Sequence, residues 1–210
     1  MCIHNMRAAK EHTEIRQEQI ARAALKLLGM KGWQRVSLAA IAKEVGVVTS
    51  AVYRHFTGKD ELLDAVLDLV DQSFQNSLQA ARKATRDPID CLHEVLRNHV
   101  ELISGGVPVP RIILSEDVFT GSARHRKRVQ AIYRAYLGEI AGIIADGQRQ
   151  RLIRNETAAE TLSLMWLGLV QSPAILWLLG HGDFDLRAHC ESAWSLFAAI
   201  LRPARPGKRI

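Results

Sequence analysis

A chain of 210 residues with 48% hydrophobic content can bury a substantial core, as one domain or as a small domain beside a larger one. Its three cysteines, Cys2, Cys91 and Cys190, are far apart and form no CxxC pair, which suits a reducing cytoplasm and argues against a disulfide framework or a zinc ribbon. The net charge is +6, and the whole excess lies in residues 1–59, where ten Lys and Arg face four Glu, so a polyanion is the partner expected for that end.

Residues 1–12 lack the apolar core of a signal peptide and are expected to form a flexible arm in a cytoplasmic protein. Arg7 and Lys10 there either reach a DNA groove or belong to a merely disordered terminus. From Ile15 to Leu28 a helix is predicted, with Ile20, Ala23, Ala24, Leu27 and Leu28 on one side and a stop between Gly29 and Gly32.

Residues 37–63 read as two short helices and a tight turn, followed at once by a third helix. Ser37 is placed as an N-cap, Leu38, Ile41, Ala42 and Val45 share a face, and Gly46 supplies a left-handed C-cap. Val47, Val52 and Phe56 turn the second helix inward. Its other face offers Thr49, Ser50, Tyr53, Arg54 and His55, a hydrogen-bonding, cationic and aromatic surface without a carboxylate, as a recognition helix requires.

Thr57 and Asp60 have capping-box spacing, which places Lys59 at about the second position of the next helix. A cation there faces the positive end of the helix dipole at a cost of about 0.3 to 1 kcal/mol. A nucleic-acid phosphate would compensate; the competing reading is a lysine extended into water.

That fourth helix is predicted to run to about Ala84, with Leu62, Leu63, Val66, Leu69, Val70 and Phe74 inward. Asp87 and Pro88 open a fifth, ending at Ser104 before Gly105, Gly106, Pro108 and Pro110. A short apolar piece, Arg111 to Phe119, precedes a long helix from about Ser122 to Gln150, and the last two helices are predicted over Glu156–Leu179 and Asp185–Leu201. The tail RPARPGKRI, with two prolines and four cations, is expected to fray, with residues 204–210 as a flexible end.

Thr161 to Gly180 contains no charged residue and has the length of a membrane span. Thr161, Ser163, Gln171 and Ser172 punctuate the run, Pro173 interrupts it and an amphipathic helix follows, so no membrane is expected. A helix apolar all round is buried on two sides, against its own core and against a second copy. Trp166, Leu169, Pro173, Leu176 and Trp177, with Ala193, Trp194 and Phe197 of the last helix, are the candidates for a four-helix dimer interface.

No GxSxG, P-loop, dinucleotide fingerprint or HExxH motif is present, so an enzyme is not indicated and no cofactor is expected. His181, Asp183, Asp185, His189 and Cys190 match metal-ligand spacing poorly and are read as turn and cap residues, with no metal. His93 and His99, six apart, fall on different faces of one helix. The run Arg124 to Arg128 is read as a solvated helix start, with attraction of an anionic effector as the alternative. Phe74, His99, Ile103, Ile112, Phe119, Tyr133, Tyr136 and Trp166 supply material for a ligand chamber, or equally for ordinary core.

The segment IAKEVGVVTSAVYRHFTGKDELL resembles the signature of the TetR/AcrR family of bacterial transcriptional regulators: a helix, a Gly-Val turn, a Tyr-x-His-Phe end and a Lys opening the fourth helix. The resemblance is specific over Ile15 to Leu63, and beyond that only length and helical pattern match. It implies an all-α protein with a three-helix helix-turn-helix DNA-binding domain at 13–58 and a ligand-binding and dimerisation domain at 59–203.

By the resemblance, the partners are double-stranded operator DNA, a second copy of the chain and a small apolar or amphiphilic effector that releases a repressor. A regulator controlled by a protein partner or by its own concentration is the alternative. Tyr53, His55 and Lys59 would hold phosphates, Thr49, Ser50, Ala51 and Arg54 would face base edges, and Ser37 is counted with them at the head of the preceding helix. Two positions depart from the family pattern. Val48 stands where Ser is frequent and Ser50 where Gly is frequent, so Thr49 is expected to cap the recognition helix one residue late.

Overall fold

The computed structural model describes residues 2–107, 109–113, 115, 118 and 121–203, with side chains from Thr13 onward except that of Ile113. Among these residues the chain is helical, with no strand. The order is α1 (Cys2–Lys31), a 3-10 turn (Trp33–Arg35), α2 (Leu38–Val45), α3 (Thr49–Tyr53), α4 (Lys59–Ala84), α5 (Pro88–Ser104), α6 (Val109–Ile113), α7 (Ala123–Arg149), α8 (Ala159–Leu179) and α9 (Leu186–Leu201). The expected tail, 204–210, lies outside the described residues.

Helix ends follow local chemistry where the capping side chain is unambiguous. Asp87 caps α5 by accepting from the N–H groups of Ile89 and Asp90, with Pro88 in the first turn where its missing donor costs nothing. Asp185 caps α9 by accepting from Ala188 N–H at 2.9 Å. At Gly147 in α7 an added Cβ would stand 2.6 Å from Ile153 Cδ1, so the glycine that lowers helix propensity there permits a close approach.

Three expectations are corrected. Helix α1 begins at Cys2 rather than Ile15, so helix extends through the residues assigned to an arm. The capping partner of Thr57 is Glu61, not Asp60: both the N–H and the hydroxyl of Thr57 donate to Glu61 Oε2, at 2.7 and 2.8 Å. Thr49 is the first residue of α3 and not its cap, because extended Val48 occupies the cap position and no side chain accepts there.

The chain divides into two compact units. The first is Met1–Gln72 with Gly106–Val129, and the second is Ser73–Gly105 with Gln130–Ile210. The boundary expected at residue 58 is thus displaced into α4. Within the first unit, Arg124 and Arg128 of α7 pair with Asp64 and Asp68 of α4, and buried His125 stands 3.6 Å from Asp64, which ties the segment before Val129 to the start of α4.

In the second unit α5, α8 and α9 pack on one another around Leu92, Val95, Leu96, Trp166, Val170, Ala174, Trp194 and Phe197. Trp166 Nε1 donates to the Leu92 carbonyl at 3.1 Å, and the Cys190 thiol donates to the Leu169 carbonyl at 3.4 Å. Burial pushes the Cys190 thiol up to about 11, which keeps it an unreactive core group.

By length and composition α8 is long and apolar enough to cross a membrane. It is buried on one side only, however, and the outward stripe consists of Leu164, Met165, Gly168, Ser172, Leu176 and Leu179, joined on α9 by Leu196 and Ile200. Of the expected dimer residues, Trp166, Pro173, Trp194 and Phe197 are therefore corrected to core of their own unit. Leu169, Trp177 and Ala193 are partly covered, and Leu176 is exposed. A helix apolar all round carries no sequence signal that fixes which side turns inward.

Candidate nucleic-acid interface

The first unit builds a helix-turn-helix from a few local decisions. Ser37 Oγ accepts from Ala40 N–H at 3.1 Å and starts α2, while Gly46 at φ 77° ends it by donating to the Ala42 and Lys43 carbonyls. The left-handed conformation at Gly46 turns the chain at once into α3. Ile41, Ala42, Val52 and Phe56 are buried beneath, with Ile20, Ala24 and Leu28 of α1 in the same core. Gln17 Nε2 donates to the His55 carbonyl at 3.4 Å and ties the end of the recognition segment to α1.

What remains outward is a short polar and aromatic surface. Ser37, Ser50 and Arg54 are exposed, Tyr53 is 56% exposed, and Thr49, Ala51 and His55 are partly covered. Val48, set aside in the sequence as a departure from pattern, is 67% exposed at the very start of α3. The signal for it was available: with Val47 and Val52 on the inner face, Val48 falls off that face. On α2, Leu38 is buried and its neighbour Ala39 is exposed.

Lys59 opens α4 at its positive end, and the protein itself supplies part of the compensation. Its Nζ donates to the Trp33 carbonyl at 3.0 Å and stands 5.2 Å from the centroid of the Trp33 ring. Gly32, at φ 76°, makes the turn that seats buried Trp33. Glu61 adds negative charge to the same helix start, and the two bonds from Thr57 hold its carboxyl below the usual range. The sequence reading therefore left out Trp33, the group that fixes where the Lys59 ammonium sits.

Exposed Arg16, Lys31, Arg35, Lys43 and Arg54 keep this unit positive, whereas Arg22 and Lys26 are held by Glu18 and Glu44, each at 2.6 Å. Such an array suits phosphate contacts that set register, with a few side chains left for base edges.

In the second unit, the residues named for a ligand chamber fall into separate groups. Phe74, His99, Tyr133, Tyr136 and Trp166 form one aromatic cluster. Phe74 stacks on Tyr136 at 4.3 Å between centroids, stands edge-on to Tyr133, and packs on His99 at 5.2 Å; Trp166 lies 6.1 Å from Tyr136. Ile103 is buried on α5 in the same unit. Ile112 is buried but belongs to the first unit, and Phe119 lies outside the described residues. His93 is elsewhere, bonded to Glu191 Oε2 at 2.7 Å and stacked on Trp194.

A helix-turn-helix with a basic surface, followed by a helical body, defines a DNA-binding regulator. The chain matches the family description "Bacterial regulatory proteins, tetR family" over residues 20–66 and "YsiA-like protein, C-terminal region" over residues 60–200. It is 27% identical to the HTH-type transcriptional regulator TtgR of Pseudomonas putida over 89% of this chain and 91% of that one. The solved structure of the regulator FadR from Bacillus subtilis in complex with stearoyl-CoA aligns at TM-score 0.75 and 21% identity, over 88% of this chain and 98% of that one. AibR in complex with isovaleryl coenzyme A and operator DNA aligns at TM-score 0.67 and 20% identity, over 86% and 97%. The chain belongs to the tetR family of bacterial regulatory proteins, and it is a regulator of transcription rather than an enzyme.

Proposed function

We propose that the chain is a homodimeric cytoplasmic repressor that binds a near-palindromic operator and is released by a small apolar or amphiphilic effector. The observation that carries this reading is the outward face of α3. Exposed Arg54 would donate to guanine, the apolar groups of Val48 and Ala51 suit thymine methyls, and Thr49 and Ser50 adapt to several bases. Tyr53, His55, Lys59 and Ser37 at the head of α2 flank them as phosphate contacts.

Dimerisation is supported by the outward apolar stripe on α8 and α9. Its small residues, Gly168 and Ser172, sit between apolar ends and let a second copy approach closely, and a two-fold pair places recognition helices about 34 Å apart or a multiple of it. An effector site in the second unit is supported by the aromatic cluster, and the acyl-coenzyme A ligands carried by FadR and AibR are in keeping with an apolar chain in such a body.

Selection from randomised duplexes, combined with light scattering at micromolar concentration, tests the reading. A dimer that enriches a two-fold symmetric site is expected, whereas a monomer that enriches no sequence removes it.

A further inference from the structure

The centre of the second unit holds a hydrogen-bonding atom without a partner. His99 is fully buried, its Nδ1 lies 3.1 Å from the Tyr136 hydroxyl, and its Nε2 is buried with no hydrogen bond. The pair fixes the tautomer. If Tyr136 donates its O–H to Nδ1, the proton sits on Nε2 and one donor is left over. In the reverse arrangement both the Tyr136 hydrogen and the Nε2 lone pair are stranded. The first leaves fewer orphans and is the lower in energy, since each stranded buried group costs about 1 to 3 kcal/mol.

The surroundings restrict what can meet that donor. The aromatic side chains packed on His99 of α5 come from three other helices, Phe74 from α4, Tyr136 from α7 and Trp166 from α8, with Tyr133 of α7 edge-on to Phe74, and none of them is charged. Burial holds His99 neutral, pushing its pKa down to about 4, and raises both tyrosines, so the cluster carries no charge at neutral pH. An anionic group there would lose its water without gaining a counterion. A second buried polar atom without a partner, Ser77 Oγ, lies on α4 one turn beyond Phe74. Within this cluster Phe74, Tyr136 and Trp166 are buried and Tyr133 is partly exposed, its hydroxyl reaching Gln171 Oε1 at a long 3.5 Å. It is the side chain that can turn aside to admit a molecule.

We propose that His99 Nε2–H is the specificity contact of the effector site, and that it selects an uncharged, aromatic or otherwise apolar compound carrying one acceptor oxygen, such as a ketone, ester or amide carbonyl. This rests on the reading of the second unit as the effector-binding body.

Three compounds of one shape test it: 4-phenylbutan-2-one, its hydrocarbon counterpart isopentylbenzene, and 3-phenylpropanoate. Each is titrated by tryptophan fluorescence into the full chain without DNA. The ketone is expected to bind and the carboxylate to bind weakly. In His99→Phe the affinity of the ketone relative to the hydrocarbon falls about tenfold, the worth of a buried neutral hydrogen bond, while His99→Gln, which keeps an N–H donor, retains most of the ratio. Tyr136→Phe frees the ring to change tautomer and lowers the ratio part of the way, so the test survives a His99→Phe chain that does not fold. An unchanged ratio in the variants, tightest binding by the carboxylate, or binding of none of the three overturns the proposal. Because no operator is present, a ketone that binds through His99 yet leaves operator affinity untouched counts against the repressor reading alone.

Discussion

Lys59 Nζ stands 3.0 Å from the carbonyl oxygen of Trp33 and 5.2 Å from the centroid of its ring, so the cation at the positive end of α4 is held by the turn that follows α1. An ammonium has three donors, and one bond to Trp33 leaves others for a phosphate. The clasp fixes the ammonium at the boundary between the helix-turn-helix and α4. The structural contact with Trp33 thus falls on the same side chain that is proposed to hold a phosphate.

Replacing Lys59 with Met keeps the apolar stem and removes the charge. Stability should fall by about 1 kcal/mol through loss of the hydrogen bond and the contact with the ring. Operator affinity should weaken alike for all duplex sequences, and the slope of log affinity against log salt should shrink by about 0.9 for each subunit. Fluorescence anisotropy over a salt series reads both. A slope that does not move would make Lys59 a clasp for Trp33 only.

Arg54→Ala should behave differently. A side chain that reads a base edge contributes discrimination, so the expected loss is about 1 to 3 kcal/mol on the preferred operator with little change on unrelated DNA. Competition between selected and scrambled duplexes measures the ratio. Equal losses on both would move Arg54 among the phosphate contacts.

Much of the fold was legible because short-range chemistry fixes it. Ser37 and Gly46 bracket α2, Asp87 with Pro88 opens α5, and Asp185 opens α9, each through a cap that the residue type alone suggests. The failures have equally local causes. Glu61 lies one residue beyond capping-box spacing, and Trp33 binds Lys59 from 26 positions away, which no window-based pattern detects. For α8 the apolar residues surround the helix, so only packing against α5 and α9 shows that Trp166 faces inward and Leu176 outward.

The buried His99 makes stability depend on pH. Its folded pKa of about 4 lies below the ordinary value of 6.5, so the unfolded chain binds the proton more readily. Its neutral burial is favourable above pH 6.5 and is progressively lost as the pH falls toward 4, by up to roughly 3 kcal/mol. Urea denaturation of the native chain and His99→Phe across this window should show the native chain losing more stability. Parallel curves would mean that His99 is not held neutral by burial.

The outward stripe of α8 and α9 predicts the effect of a paired charge. Leu176 is 63% exposed and Leu196 is 73% exposed, so Leu176→Glu with Leu196→Glu should leave the fold of each chain intact while placing carboxylates in the proposed interface. Light scattering should report a monomer with unchanged helical content, and operator affinity should drop at least a hundredfold as the second recognition helix is lost. A dimer that survives both changes would locate the interface elsewhere.

Ligand and operator must oppose one another if the chain is an inducible repressor, and their linkage is the most direct measurement. A thermal-shift screen of neutral apolar compounds supplies ligands, and operator is then titrated with and without each. A compound that raises the melting temperature should weaken operator affinity by about 5- to 150-fold, and operator should weaken binding of that compound by the same factor. Compounds that stabilise the protein yet leave operator affinity unchanged would contradict induction and favour a regulator governed by a protein partner or by its own concentration.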